Sequence, residues 1–292
     1  MNVARAAAEL AVRPRTVAIG TFDGVHLGHR AVVRAAVDAG RSSDLTPTVV
    51  TFHPHPRTVL GHRVELLATL ERRLELLADA GVEDVLVVEF SSEIADLEPE
   101  EFAQQYLLGI GAQGVVAGTG FRFGRQRAGD LELLRRLGLD ARQVPLVEGV
   151  SSTRIRQLAH AGDVDGAARL LGRPLEVEGK VVSGDQRGGA LGFPTANLAV
   201  DPDVLVPGFG IYAGAAGERR AAISIGVNPH YGGTERRVEA YLLDWTGDLY
   251  GERIVLELWR RLRDERAFGS EAELVDQIAR DVEETRAARS PV

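Results

Sequence analysis

Apolar and polar positions follow two different patterns on either side of residue 172. In the first part, short β-branched runs alternate with longer segments whose apolar residues recur every three or four positions, as at Leu70, Leu74 and Leu77. The predicted strands are 16–19, 48–52, 84–89, 114–117 and 143–147, and the predicted helices are 29–39, 69–80, 99–108, 131–137, 152–161 and 163–171. This alternation predicts a doubly wound parallel sheet with helices on both faces, in which ligands bind at the carboxyl ends of the strands.

After residue 172, glycine-rich turns separate short β-rich runs. We predict strands at 176–182, 210–213, 221–226, 238–244 and 253–262. A final helix is predicted from Glu271 to about Thr285, with Ser270 as its N-cap. The second part is therefore predicted to be an antiparallel β-barrel or sandwich with a terminal helix. We place the two domains at 1–172 and 173–292.

The composition is that of a globular protein. Of the 292 residues, 45% are apolar and 26% are charged, and no apolar run approaches the ~20 residues that span a bilayer. The N-terminal segment contains Glu9 and no long apolar core, so we expect no secretory signal and no membrane partner, with a cytoplasmic location as the default. A net charge of −8 disfavours a nucleic-acid partner, and homo-oligomer formation stays open.

Two features of the composition narrow the chemistry. The chain has no cysteine, which excludes disulfides, thiolate nucleophiles and cysteine-bound metals. Lys180 is the only lysine, and its surroundings do not match a P-loop, because Val181 follows it and Pro174 stands where the first glycine belongs. Any nucleotide chemistry must therefore use another phosphate-binding arrangement.

The stretch GTFDGVHLGHR at 20–30 places His26 and His29 where a predicted strand turns into a helix. A helix N-terminus has unpaired N–H groups and attracts anions, and the glycines of this stretch allow close approach of the backbone. The histidine pair is therefore open to three interpretations: a packed turn, a phosphate site, or a metal site completed by His53 or His55.

A second candidate phosphate motif, SSTRIR at 151–156, begins another predicted helix. Its hydroxyls, amides and arginines suit the β- and γ-phosphates of ATP, although an ordinary N-cap followed by solvated arginines would give the same sequence. Together, FDGVHLGHR and SSTRIR resemble the HxGH and SSTxxR signatures of the nucleotidylyltransferase superfamily.

Three further segments narrow the resemblance. TFHPHPR (51–57) and FRFGRQRAGD (121–130) resemble conserved blocks of the prokaryotic bifunctional riboflavin kinase/FAD synthetase (FMN adenylyltransferase) family, and LGFPTANL (191–198) is similar to the PTAN motif of riboflavin kinase. The five motifs stand in the family's order and cover almost the whole chain. The resemblance implies a nucleotidylyltransferase domain followed by a riboflavin kinase barrel, which use ATP and Mg²⁺ to convert riboflavin to FMN and FMN to FAD.

In the first domain, the resemblance implies transfer of AMP from ATP to FMN with release of pyrophosphate. It assigns His26 and His29 to catalysis at the triphosphate, and Phe121 and Phe123 to the loop that positions the flavin. The nucleotide- and pyrophosphate-binding residues that it implies are Gly20, Thr21, Phe22, Asp23, Gly28, Ser152, Thr153 and Arg156. The FMN phosphate is itself the nucleophile, so no side-chain nucleophile is required.

In the second domain, the resemblance makes Glu239 the base that takes the proton of the ribityl hydroxyl. It assigns Thr195 and Asn197 to Mg²⁺ and the phosphates, oxygen ligands of the kind that Mg²⁺ prefers. It also places Lys180 and the 184–191 loop over ATP and gives Arg263 a contact with the nucleotide or the flavin. Taken without the family, Glu239 is an outward residue on a strand that alternates with apolar neighbours.

Three positions depart from the family pattern. Gly120 stands where Asp or Asn is usual, His230 replaces a threonine, and Gly189 stands where arginine is frequent. Gly120 lacks the polar side chain expected beside the flavin, which leaves one alternative function, a riboflavin kinase with a weakened or altered adenylyltransferase site. Two others are a flavin-binding regulatory protein with little turnover and a zinc hydrolase built on the four histidines named above.

Overall fold

The computed structural model describes residues 1–184, 192–227 and 236–292. These residues form two compact units. The first comprises Met1–Val64 and Leu70–Val150, and the second comprises Glu65–Thr69 and Ser151–Val292. By its contacts, a short segment from the N-terminal half of the chain therefore belongs to the second unit.

The first unit contains a parallel β-sheet. Its strands are β1 (Asn2–Ala4), β2 (Arg15–Ile19), β3 (Thr46–His53), β4 (Asp84–Glu89), β5 (Ala112–Gly118) and β6 (Asp140–Val144). Its helices are α1 (Leu27–Ser43), α2 (Pro56–Val59), α3 (Leu70–Asp79), α4 (Ser92–Ala95), α5 (Pro99–Tyr106) and α6 (Leu131–Arg136), with 3₁₀ turns at Ala7–Glu9, Leu108–Ile110 and Arg125–Arg127. The strand order is β1-β4-β3-β2-β5-β6, and every neighbouring pair is parallel.

Both faces of this sheet are apolar, because successive side chains of a strand point to opposite faces and the strands are rich in valine and isoleucine. Val17 and Ile19 of β2 pack into one core with residues of α5 and α6. Ala18 packs into the opposite core with residues of α1 and α3. The predicted doubly wound sheet is confirmed, and its polar functional groups are left to the loops at the strand ends.

The second unit is built around a closed antiparallel barrel. Its strands are β7 (Leu175–Val182), β8 (Ala196–Ala199), β9 (Gly210–Ala216), β10 (Arg219–Val227), β11 (Arg236–Leu242) and β12 (Arg253–Arg263), in the order β10-β11-β8-β7-β12-β9. Its helices are α7 (Ser152–His160), α8 (Val164–Leu171) and the terminal α9 (Glu271–Ala287). The barrel confirms the prediction for this half and decides against a sandwich.

Alternate residues of each barrel strand fill the interior. On β11, Val238, Ala240 and Leu242 are buried, whereas Glu239 and Tyr241 lie half-buried on the outer face. Polar side chains that could react are therefore displayed on the outside of the barrel wall.

Most predicted elements are confirmed apart from shifts at their ends. The prediction missed the strands β1 and β8 and the four-residue helices α2 and α4, which are too short to give a periodic signal. It placed β6 at 143–147, whereas the strand begins at Asp140 and ends at Val144. This strand lies at the edge of the sheet and carries exposed polar residues, so it lacks the apolar run that marks the inner strands.

The helices α7 and α8 precede residue 172 but pack with the barrel. Ile155 and Leu171 are fully buried in the barrel's core cluster, and α8 contacts β7 and β12. By packing, the units therefore divide between Val150 and Ser151. The change of sequence pattern at 172 marks the point where helices give way to strands, and a division of the catalytic domains at 172 stays a prediction.

Candidate active sites

In the first unit, His26 and His29 lie where β2 leads into α1. His26 is the N-cap of α1, and its Nδ1 accepts a hydrogen bond from the backbone N–H of His29 at 3.2 Å. An imidazole nitrogen that accepts a hydrogen bond carries no proton, so the neutral His26 ring has its proton on Nε2. The His26 ring thus lies at a helix N-terminus with its proton on Nε2, and a helix N-terminus is a position that favours anions.

The two imidazole rings stack on each other. Their centroids are 3.6 Å apart with an interplanar angle of 14°, and the Phe22 ring meets His29 edge-on at 5.4 Å. His55 instead caps α2, where its Nδ1 accepts the N–H of Arg57 at 3.2 Å. In the part of the chain that the structure describes, no three His, Cys, Asp or Glu side chains are placed to hold a metal ion. The zinc interpretation of these histidines therefore has no support in the structure.

The backbone of residues 20–26 takes an unusual path. Phe22 and Val25 have φ values of 50° and 40°. These values lie in the left-handed region, which residues other than Gly, Asn and Asp rarely adopt. Gly24 between them also has a positive φ of 77°. Such strain persists where the surrounding structure holds it, and it concentrates at functional sites.

The environment of His29 disfavours its charged form. Desolvation by burial, the neighbouring His26 and the positive charge of Arg73 all lower the pKa of His29 well below its ordinary value. His29 is therefore a neutral ring at physiological pH. It can donate or accept a hydrogen bond at the site without adding a full positive charge.

The predicted flavin loop forms an aromatic pair. The rings of Phe121 and Phe123 stack with centroids 5.6 Å apart, and the buried Phe123 also packs on Phe102. Gly120, just before the pair, has a φ of 78° and open space where a Cβ would stand. Asn and Asp are the side-chain-bearing residues that adopt this conformation most readily, so the backbone here is compatible with the Asp or Asn that the resemblance implies at this position, although Gly120 lacks the polar group.

The SSTRIR motif begins α7 and belongs to the second unit. The Ser151 hydroxyl accepts the N–H of Arg154 at 3.1 Å, so Ser152 and Thr153 lie in the first turn of the helix. Arg156 donates from Nε to the Glu65 carbonyl at 2.6 Å. The structure groups His26, His29, Gly20, Thr21, Phe22, Asp23 and Gly28 in the first unit and Ser152, Thr153 and Arg156 in the second. Their meeting at one triphosphate stays a prediction.

On the barrel, Glu239 lies next to two of the predicted metal- and phosphate-binding residues. Glu239 on β11 is in register with Asn197 on β8. The Thr195 hydroxyl donates to Glu239 Oε2 at 3.3 Å, and Arg237 Nη1 donates to Oε1 at 2.9 Å. A carboxylate, a hydroxyl and an amide therefore converge on the outer face of the barrel.

Two other predicted barrel residues have different surroundings. The exposed Lys180 lies on β7, where it pairs in register with Ala199 on β8. Arg263 is held by the buried carboxylate of Asp281 on α9, with distances of 2.7 Å from Nη2 and 3.0 Å from Nε, and it also lies over Phe268. The Arg263 guanidinium thus ties α9 to β12, and a contact between Arg263 and substrate stays a prediction.

Several predicted features lie outside the described residues. They are most of the 184–191 loop with Gly189, and the segment that contains His230. Gly184 itself is described, and a Cβ there would collide with the Asn197 side chain. A larger residue at 184 would therefore displace the Asn197 amide from its present position.

Comparisons with known proteins agree with the motifs. One family model, described as FAD synthetase, matches residues 9–156, and another, described as riboflavin kinase, matches residues 171–289. The curated bifunctional riboflavin kinase/FMN adenylyltransferase of Bacillus subtilis is 37% identical over 92% of this chain and 90% of its own length. The chain belongs to the bifunctional riboflavin kinase/FMN adenylyltransferase family.

Other relatives support the same family over most of the chain. The proteins of the same description from Listeria monocytogenes and Escherichia coli are 34% and 36% identical, over 94% and 90% of this chain and 92% and 89% of theirs. A crystal structure described as that of a macrolide-efflux protein from Streptococcus pneumoniae has a TM-score of 0.87 and 34% identity, and the match covers 97% of this chain and 98% of that one. The flavin-related names of the curated relatives and both family models agree with each other.

The protein is therefore an enzyme with two activities, riboflavin kinase and FMN adenylyltransferase. Family membership does not favour the alternative of a kinase alone. Among the described residues, no helix is both long and apolar enough to span a membrane.

The structure places further side chains beside the candidate sites that the motifs did not reveal. Arg73, on α3, is buried and contacts the histidine-bearing loop, and its signal in the sequence is its position on the apolar face of a predicted helix. On the barrel, Phe193 meets Tyr241 edge-on at 5.4 Å, two residues from Glu239 along the outer face of β11. Glu265 is a second acidic residue that interacts with Glu239. Burial and the charge of Glu239 raise the pKa of Glu265, against the lowering effect of Arg263.

Proposed function

We propose that His26 and His29 stabilise the charge that develops when the FMN phosphate attacks the α-phosphorus of ATP. A bond forms between an FMN phosphate oxygen and the α-phosphorus, the bond to the β-phosphate bridging oxygen breaks, and pyrophosphate leaves. The observation that carries this role is the fixed orientation of His26 as the N-cap of α1, where Nδ1 accepts the His29 amide and the ring stacks on that of His29. Donors fixed in advance at a helix N-terminus stabilise such charge without rearranging during the reaction.

The remaining residues of this site have supporting roles in the proposal. Gly20, Thr21, Phe22 and Asp23 line the nucleotide, with their backbone held in the strained path described above. Ser152 and Thr153, in the first turn of α7, bind the outgoing pyrophosphate together with Arg156. Phe121 and Phe123 position the flavin ring, and their stacked geometry supports this role.

In the riboflavin kinase reaction, we propose that Glu239 accepts the proton of the ribityl 5′-hydroxyl as its oxygen attacks the γ-phosphorus of ATP. The bond between the γ-phosphorus and the bridging oxygen breaks, and ADP leaves. Arg237 and Thr195 both hydrogen-bond to the Glu239 carboxylate, which fixes the direction of its oxygens. A carboxylate held in place near the hydroxyl can act as a general base.

The donor set on the barrel fits Mg²⁺. Thr195 and Asn197 supply a hydroxyl and an amide oxygen, and Glu239 lies beside both. Hard oxygen donors of this kind, completed by phosphate oxygens, are those that Mg²⁺ accepts. Thr195 and Asn197 would hold the ion, which when bound neutralises charge on the transferring phosphoryl group. Lys180 and Arg263 are proposed to contact the nucleotide or flavin around this centre.

The proposed roles of Glu239 and the histidines are tested by measuring FMN and FAD formation separately. Full-length protein is incubated with riboflavin, ATP and Mg²⁺, and the flavins are resolved by chromatography. We expect Glu239→Gln to form FMN about 10²–10⁴-fold more slowly, the size of a general-base contribution, while it still converts added FMN to FAD. His29→Asn should accumulate FMN, and omission of Mg²⁺ should slow both steps.

The matched control is Glu218→Gln, a charge-removing change at an exposed turn, which should match the unaltered protein in both steps. FMN formation by Glu239→Gln at the control rate would overturn the role of Glu239. FAD formation by His29→Asn at the control rate would overturn the role of the histidines. Riboflavin that binds but never reacts in the unaltered protein would favour a flavin-binding protein instead.

We also propose a cytoplasmic location and no nucleic-acid partner, because the substrates are ATP and flavins and the net charge is −8. Homo-oligomer formation is tested by light scattering with and without substrates. A mass of one chain under both conditions would exclude it.

A further inference from the structure

Arg73 occupies an unusual position for an arginine. It is 4% exposed and lies on the face of α3 that also carries Leu70 and Leu77. Leu77 is completely buried in the core beneath α1. A charged side chain in such a place is costly unless its charge and its hydrogen bonds are compensated.

Both terminal nitrogens of Arg73 are bound to backbone carbonyls at the carboxyl edge of the sheet. Nη1 donates to the Thr21 carbonyl at 2.7 Å, and Nη2 donates to the Phe52 carbonyl at 3.1 Å. Phe52 lies near the end of β3, and Thr21 lies just beyond the end of β2. One planar guanidinium thus joins the ends of two neighbouring strands at the point where the histidine-bearing loop begins.

The charge of Arg73 also interacts with an acidic side chain of the histidine-bearing loop. Asp23, in the same loop, is 2% exposed, and its attraction raises the pKa of Arg73 against the larger lowering effect of burial. Arginine stays protonated in proteins, so the charge of Asp23 acts on a buried cation.

We propose that Arg73 is a positioning residue of the adenylyltransferase site. It anchors the 20–26 loop, through the Thr21 carbonyl and the charge of Asp23, to the Phe52 carbonyl of β3, so that His26 and His29 face the triphosphate. The proposal rests on the proposed role of the two histidines. Arg73 acts on the reaction through the loop and has no contact with the reacting atoms in this scheme.

A consequence for pH follows from the groups around His29. The titratable and charged groups that act on it are His26 from the same loop and Arg73 from α3, with Asp23 beside Arg73. Burial contributes most to the lowering of its pKa, and the Arg73 charge adds to it. Loss of that charge raises the pKa of His29, so His29 begins to accept a proton at a higher pH than in the unaltered protein.

The test compares Arg73→Gln and Arg73→Lys in the full-length protein, with FMN and ATP as substrates and the rate measured between pH 5.5 and 8.5. Gln keeps a hydrogen-bond donor without the charge, and Lys keeps the charge without the planar pair of donors. We expect Arg73→Gln to lower kcat about 10²-fold, the size of a small misplacement of catalytic groups, and to move the acid limb of the profile to higher pH. Arg73→Lys should lower kcat less and leave the acid limb in place.

Two controls separate this effect from general damage. Riboflavin phosphorylation by the same variants should be unchanged, and Arg34→Gln, at a side chain that is 85% exposed on α1, should match the unaltered protein in both reactions. An unchanged kcat and pH profile in Arg73→Gln would overturn the proposal, as would a loss of rate with no movement of the acid limb. If Arg73→Gln does not fold, Arg73→Lys decides alone, and a wild-type kcat for that variant overturns the proposal.

The His29→Asn variant distinguishes failure of the proposed role of the histidines from failure of the proposed role of Arg73. If it forms FAD normally, the proposed role of the histidines is wrong whatever Arg73 does. If it loses FAD formation while Arg73→Gln keeps it, only the inference about Arg73 fails.

Discussion

At the scale of single residues, Gly28 shows how close packing serves the histidine pair. A Cβ on Gly28 would stand 3.2 Å from Cε1 and 3.3 Å from Nδ1 of His26. These distances are tight enough to push the imidazole ring by a few tenths of an ångström. Gly28 lies inside α1 without a positive φ, so alanine there is compatible with the backbone.

We therefore expect Gly28→Ala to separate stability from activity. Alanine favours a helix by about 1 kcal/mol over glycine, so the free energy of unfolding should stay equal or rise. The displaced His26 ring should slow FMN adenylylation by about 10-fold or more, because small misplacements of catalytic groups have large effects on rate. Urea titration and FAD formation measure the two quantities, with riboflavin phosphorylation as the internal control. Normal FAD formation would show that His26 does not need its present position.

The sequence predicted the histidine loop and the PTAN segment but missed Arg73. The resemblance to family motifs identified His26, His29, Thr195 and Asn197 as candidates, because short segments of sequence carry those motifs. Arg73 follows another arginine in a charged helix, and arginines of that kind are usually solvated. The apolar face through Leu70 and Leu77 also includes position 73, but the pattern alone does not show whether a cation there has buried partners.

At the scale of elements, a buried ion pair joins the amino ends of three strands. Arg15 at the start of β2 donates to the Asp84 carboxylate at the start of β4 and to the Thr48 hydroxyl on β3 at 3.0 Å. Arg13 adds a second hydrogen bond to Asp84 at 2.7 Å. Burial disfavours the Asp84 charge, but the hydrogen bonds and charges of the two arginines outweigh burial and hold its pKa below the ordinary value.

We expect Asp84→Asn to lower the free energy of unfolding by about 3–5 kcal/mol at pH 7, because Arg15 is left buried without its counter-ion. The folded-state pKa of Asp84 is lowered, so its contribution is complete above the unfolded pKa of about 4 and is lost as pH falls through the folded value. The difference between the variant and the unaltered protein should therefore shrink below about pH 4. Urea titrations from pH 3 to pH 7 measure it.

Asp140→Asn is the matched control, because Asp140 pairs with Arg142 where both side chains are about 60% exposed. An exposed pair contributes at most about 1 kcal/mol. Equal losses for the two variants would show that burial of the Arg15–Asp84 pair has no special weight in the sheet.

Element prediction succeeded where periodicity was long and failed where it was short. The longer helices of the first unit and the inner strands gave clear apolar patterns, whereas the four-residue helices α2 and α4 gave none. Strand β8 has four residues, among them the polar Asn197, and it exists because both of its edges pair with longer strands. Long-range pairing of this kind leaves no local signal, so the strand that carries a metal-binding candidate was predicted only as a motif.

At the scale of the whole molecule, the pattern of the sequence and the packing of the chain divide it at different places. The sequence changes texture at 172, but Ile155, Val164 and Leu171 are each at most 1% exposed in the barrel's core cluster. The FAD synthetase model ends at residue 156, close to the division by packing, and the riboflavin kinase model begins at residue 171, close to the change of sequence pattern. The two helices between Ser152 and Leu171 therefore carry the SSTRIR motif, which we propose binds pyrophosphate in the adenylyltransferase reaction, together with core residues of the barrel unit.

Two fragments of the chain test this division. A fragment that begins at 151 keeps α7 and α8 on the barrel, whereas a fragment that begins at 173 loses three large buried side chains worth about 1.5–3 kcal/mol each. We expect the 151–292 fragment to unfold at a higher urea concentration than 173–292 and to keep more riboflavin kinase activity. Equal midpoints would show that the helices add nothing to the stability of the barrel.

The complementary N-terminal fragments test the SSTRIR motif in FMN adenylylation. The 1–172 fragment keeps Ser152, Thr153 and Arg156, so we expect it to form some FAD from FMN, whereas the 1–150 fragment should form none. FAD formation by 1–150 would show that the SSTRIR motif takes no part in the reaction.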